Sequence, residues 1–137
     1  MTLNRTVALA GIVMLSSFLG GAMSNVTIEL LNGYRPSMQS TGWPVMQWNI
    51  RYLLVGLAAL PIVCSEKLQA WQQLPLMLLT AILVRTIYLW RVVIEWSQSQ
   101  WYDAMFQHFA FGPVVHGAVM FAICWAATTW LPTAPKA

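Results

Sequence analysis

Three ionisable residues lie inside apolar stretches of this 137-residue chain: Arg51, Arg85 and His116. Charge is costly within hydrocarbon, so an ionisable group in a membrane span suggests by default a substrate path, a proton relay or a ligand contact. Arginine has another outlet, because its long stem lets the guanidinium snorkel to the headgroups or reach a partner. Arg85 is only about 8 Å below Trp90 along a helix rising 1.5 Å per residue, so snorkelling or pairing is set against a transport or binding role there. His116, about 10 Å below Phe109, cannot reach so far, and Gly117 opens space beside it. A histidine bonded to a neighbouring carbonyl is the commoner outcome, with a proton-handling or ligand-holding imidazole as the alternative.

Other chemistry finds little support. A transmembrane b-type haem takes axial ligands from facing helices, whereas His108 and His116 share one helix about 12 Å apart along it. A haem therefore needs a ligand from a partner subunit, and no cofactor is expected from this chain alone. Cys64 and Cys124 form no CxxC and have no Cys/His pair at zinc spacing, so they read as small buried apolar side chains and no metal is expected. There is no Ser/His/Asp order with catalytic context, no glycine-rich phosphate loop and no close pair of carboxylates, so an enzyme is not expected.

The elements that must position these residues are membrane helices. The chain is 58% hydrophobic and 8% charged, against about 25% charged in an average soluble domain. Seven basic and four acidic residues are scattered singly, without a block suited to nucleic acid. Backbone groups in hydrocarbon must be paired within their own segment, and about 20 residues cross the core. The apolar runs predict an all-α polytopic membrane protein, one domain over 1–137, with spans at about 7–31, 45–64, 74–94 and 109–131 forming two hairpins.

In that arrangement Arg51, Arg85 and His116 share one leaflet, while Glu29, Arg91, Glu95, Asp103 and His108 fall at the interface on the same side. Arg91 and Glu95, four apart on one helical face, can pair as part of that rim. Ser16, Gly20 and Ser24 repeat every four residues, as do Ala118, Ala122 and Ala126, the spacing that lets membrane helices approach closely. The loop 32–44 holds Gly33, Pro36, Gly42 and Pro44, and predicts a surface connection with Tyr34, Trp43 and Trp48 at headgroup level. The first span resembles a secretory signal retained as a helix, and tips a nearly balanced Lys/Arg count towards both termini being cytoplasmic in a bacterial inner membrane.

From about residue 65 to 125 the order of features resembles the transmembrane region of the SbmA/BacA-type peptide transporters. "SEKLQAW", an apolar helix and then "EWSQSQWYDAMFQ" carry the likeness, through Ser65, Trp71, Trp96, Tyr102, Asp103 and Gln107. Those transporters are far longer, so the resemblance implies a fragment-like relative that needs partners. Taken together, these features predict a small non-catalytic accessory subunit of a larger membrane complex, in contact with lipid and with other subunits or copies of itself. The alternatives are an oligomeric transporter or channel for an anionic or peptide substrate or for protons, using Arg85 and His116, and a haem-bearing electron-transfer subunit.

Overall fold

The computed structural model describes residues 3–33 and 43–130, without the side chains of 43–50. The expectations at Tyr34, Pro36 and Gly42, and those for the side chains of Trp43, Pro44 and Trp48, lie outside the described residues. Among the described residues all regular structure is helical. Helix α1 spans Leu3–Leu31 and ends where Gly33 takes a left-handed φ of 75°. There the Asn32 N–H donates to the Ile28 carbonyl at 3.1 Å and the Gly33 N–H to the Leu30 carbonyl at 3.1 Å, closing the last turn as glycine C-terminal caps do.

Helix α2 is Trp43–Cys64 and α3 is Ala70–Tyr88. The start of α3 is fixed by Gln72, whose side-chain oxygen accepts from the Gln69 N–H at 3.0 Å and so satisfies a donor left over at the helix end. The single helix expected over 74–94 is divided at Leu89 (φ −108°, ψ 18°), and a separate helix α4 covers Trp90–Gln98. Helix α4 buries no residue, and Trp90, Arg91, Ile94 and Glu95 are all exposed. Helix α5 (Tyr102–Phe106), a π-helical turn (Gln107–Phe111) and α6 (Gly112–Trp130) follow as one continuous rod. Pro113 cannot donate into the preceding turn and its ring crowds the residue four back, so the helix widens there, with the Gly112 N–H reaching the Gln107 carbonyl.

The link from α4 to α5 is a Schellman turn. The Trp101 N–H donates to the Trp96 carbonyl at 2.9 Å and the Gln100 N–H to the Ser97 carbonyl at 3.2 Å. Gln100 itself has φ 58°, a region that costs a residue with a Cβ roughly 1–2 kcal/mol. Gln100→Gly should therefore stabilise this turn by about 1 kcal/mol, read as a higher thermal midpoint with an unchanged helical circular dichroism spectrum.

Helix α1 packs on α2 and α6, and α3 packs on the same two, so α1, α2, α3 and α6 close into a ring. Arg5, Ser65, Gln73 and Thr128 line one cleft, which puts the start of α1, the end of α2, the start of α3 and the end of α6 at one end of an antiparallel bundle. At the opposite end the amides of Asn32 and Gln107 exchange hydrogen bonds of 2.9 and 3.2 Å. The half nearer the first end is apolar, built from Leu9, Val13, Val55, Ala59, Met77, Ala81, Met120 and Cys124. Leu15, Leu57, Leu79, Leu83 and Trp125 face outward, as a lipid solvent requires. Three stretches are long and apolar enough to cross a membrane, Leu3–Leu31, Ala70–Tyr88 and Tyr102–Trp130, while Arg51–Cys64 is a shorter apolar stretch. The chain is thus an all-helical protein with membrane-spanning character.

Candidate functional site

The other half of the bundle is polar. Ser17 and Ser24 come from α1, Tyr52 from α2, Arg85 from α3 and His116 from α6, and all five are buried. Ser17 and Ser24 are seven apart on α1, two helical turns, so both face the axis, with Gly20 and Gly21 between them. Those glycines let the neighbours in. A Cβ on Gly20 would come within 2.7 Å of the His116 ring and of its carbonyl oxygen, and one on Gly21 would overlap the Tyr52 ring.

Arg85 is 1% exposed. Its Nη1 donates to Ser24 Oγ at 2.9 Å and its Nη2 to Tyr52 Oη at 3.3 Å, while the guanidinium carbon stands 4.8 Å from the centre of the Tyr52 ring. Tyr52 in turn donates to Asn25 Oδ1 at 3.1 Å. The Arg85 Nε–H is buried without a partner, and among the described residues no carboxylate is paired with this guanidinium. Hydroxyls and an aromatic face solvate the cation but do not neutralise it.

His116 is linked to the same tyrosine. Its ring meets Tyr52 edge-on, centroids 5.2 Å apart, and its Nε2 is 3.2 Å from Ser17 Oγ. The Ser17 hydroxyl donates its proton to the Tyr52 carbonyl, so it accepts from His116 Nε2–H. That network assigns the Nε2–H tautomer and leaves a buried Nδ1 lone pair without a donor.

Above Arg85 a cavity of about 330 Å³ opens between the bundle and α4. Its polar wall is Asn25, Tyr52, Arg85 and His108, and its apolar wall is Leu89, Val92 and Trp96. The break at Leu89 folds α4 over this space. Trp96 then packs edge-on against His108, centroids 5.3 Å apart, and against Phe109 at 5.8 Å. The π turn presents both of those residues.

The structure brings Arg85 and His116 together around Tyr52 inside one chain, but not Arg51, which is exposed on α2. The Arg85 guanidinium is held inside the bundle by Ser24 and Tyr52. Among the rim residues, Arg91 sits 5.7 Å over the Trp90 ring, Glu95 and Asp103 are exposed, and Glu29 is half-buried with Oε2 unpartnered. His108 lines the cavity. Ser16, Gly20 and Ser24 all face α6, against Cys124, His116 and Gly112 respectively. Tyr52, Ser17 and Asn25 are the polar residues that reading the sequence missed. Their signal was one of depth, since a tyrosine beside Arg51 falls at the level of Arg85 and His116. No group of three His, Cys, Asp or Glu side chains among the described residues could hold a metal ion. No family model matches the chain, and neither a curated protein nor a solved structure matches it.

Proposed function

We propose that the chain is a four-span inner-membrane protein that binds a small anion within its own bundle, as one unit of a transport system. The carrying observation is the buried Arg85 cation, paired with no described carboxylate and set in the wall of an accessible cavity. Such a cation is costly to maintain without a negative partner, and an entering anion supplies that partner. The likeness of residues 65–125 to SbmA/BacA-type transporters, carried by Ser65, Trp71, Trp96, Tyr102, Asp103 and Gln107, supports the transport part of this reading, and of those residues Trp96 lines the cavity. Tyr52 would set the guanidinium's orientation, holding one side of it with its hydroxyl and one face with its ring.

The test is thermal unfolding of the detergent-solubilised protein in a non-coordinating buffer with a panel of anions. A ligand that binds only the folded state raises stability as RT ln(1 + [L]/Kd), about 2.7 kcal/mol at a hundredfold excess over Kd. The midpoint of the natural protein should rise with at least one anion in the panel, while that of Arg85→Met should not move. Equal responses in both proteins would remove the site from Arg85.

A second reading, a subunit of a larger assembly, is favoured by the exposure of Ala118, Ala122 and Ala126 along one outer face of α6. Small residues at this spacing allow close helix approach in a membrane. Mild extraction should then give a protein mass well above 15.4 kDa by light scattering, and Ala122→Trp should reduce it to a single chain.

A further inference from the structure

We infer that the anion is a small monocarboxylate with a compact apolar body, carboxylate against Arg85 and body against Trp96, an inference that rests on the anion-binding reading above. Charge decides the first part. Among its described lining residues the cavity wall holds one permanent cation, Arg85, and no carboxylate, so it complements one negative charge and offers a ligand ammonium group only neutral partners such as the Asn25 amide oxygen, next to a like charge. The guanidinium keeps one N–H on each of Nη1 and Nη2 beyond those committed to Ser24 and Tyr52, and a planar carboxylate fits such a fork with two parallel bonds. Inorganic phosphate or sulfate would use the same donors but would leave Leu89, Val92 and Trp96 facing a hydrated ion.

Size and polarity decide the second part. About 330 Å³ is the space of roughly eleven waters at about 30 Å³ each, which suits a ligand of about ten non-hydrogen atoms. It is at the small end of ligand pockets, which combine apolar walls with a few fixed polar groups. Trp96 is already engaged edge-on with His108 and Phe109, so its ring is fixed and can offer a rigid flat wall to an aryl or short branched body.

The experiment is calorimetric titration of the intact detergent-purified chain with benzoate, hexanoate, inorganic phosphate, sulfate, phenylalanine and benzyl alcohol, with native mass spectrometry of the same sample. Benzoate and hexanoate should bind saturably, and the other four at least about tenfold more weakly. Arg85→Gln should weaken benzoate by about 10- to 100-fold, the range for a lost charged hydrogen bond. Should Arg85→Gln fail to fold, Val92→Phe provides the test, since it fills the apolar wall from a half-buried position and should also abolish benzoate binding.

Phosphate or sulfate binding without the carboxylates would overturn this inference while leaving the anion reading in place. Phenylalanine binding as tightly as benzoate would overturn the charge argument. Retained anionic phospholipid that benzoate cannot displace would assign the site to a lipid headgroup and overturn the inference. Unchanged benzoate affinity in a folded Val92→Phe protein would do the same. Benzyl alcohol equal to benzoate, or no anion bound at all, would overturn both readings.

Discussion

Gly21→Val will disrupt the bundle and its polar site together. A Cβ at this position would occupy the space of the Tyr52 ring, which is held from three sides by Arg85, Asn25 and His116. Relief requires α1 and α2 to separate or the Tyr52 ring to give up those contacts and turn into the cavity it lines. Overpacking of a well-packed core costs about 1–3 kcal/mol, and the added branch puts this case at the upper end or beyond. The expected result is a midpoint lowered by more than 10 °C, or loss of monodisperse protein on gel filtration. Gly11→Val is the matched control. A Cβ there meets nothing within 4 Å, so the same substitution ten residues away should leave the midpoint nearly unchanged. Equal effects at the two positions would mean that helix propensity, rather than the Tyr52 contact, governs the response.

Arg85→Met should separate stability from binding. Replacing a buried ionic group by an apolar one of similar volume is often neutral or stabilising by about 1–4 kcal/mol, because the desolvation cost disappears with the charge. After the change Tyr52 still donates to Asn25, and Ser24 loses one donor. The midpoint should therefore hold or rise, measured without added anions, while anion-dependent stabilisation is lost. A fall of more than about 2 kcal/mol would identify Arg85 as a structural staple whose bonds to Ser24 and Tyr52 outweigh its desolvation, and the binding proposal would lose its main support.

The membrane class and the helical architecture were legible because composition and apolar runs report them directly. The common level of Arg85 and His116 was legible too, as arithmetic on helix rise from Trp90 and Phe109. Azimuth was not. Arg51 shares the level but points outward, and its neighbour Tyr52 points in, a rotation of one residue that hydrophobicity cannot resolve on a helix apolar all round. The break at Leu89 was hidden for a related reason. Apolar residues continue through Leu89, Val92, Val93 and Ile94, and no proline or glycine marks the change of direction. The π turn had a cue in Pro113, but its consequence, His108 and Phe109 turned onto Trp96, depends on where α4 comes to lie. Ser16, Gly20 and Ser24 were legible as a close-packing face. That the face belongs to the chain's own α6 is a fact of tertiary structure.

The apolar half of the ring bears on how a bound solute could leave. Below Arg85 and His116 the axis is occupied by Val13, Val55, Ala59, Met77, Ala81 and Met120, all less than 2% exposed. A layer of this kind repels water columns and ions alike, as hydrophobic constrictions in pores do. An anion bound beside Trp96, as proposed, would therefore meet a dry seal rather than a conduit. Passage would require the seal to reform on the other side of the site, so flux through this fold would saturate with substrate and turn over in discrete cycles, without the open-pore currents of a channel.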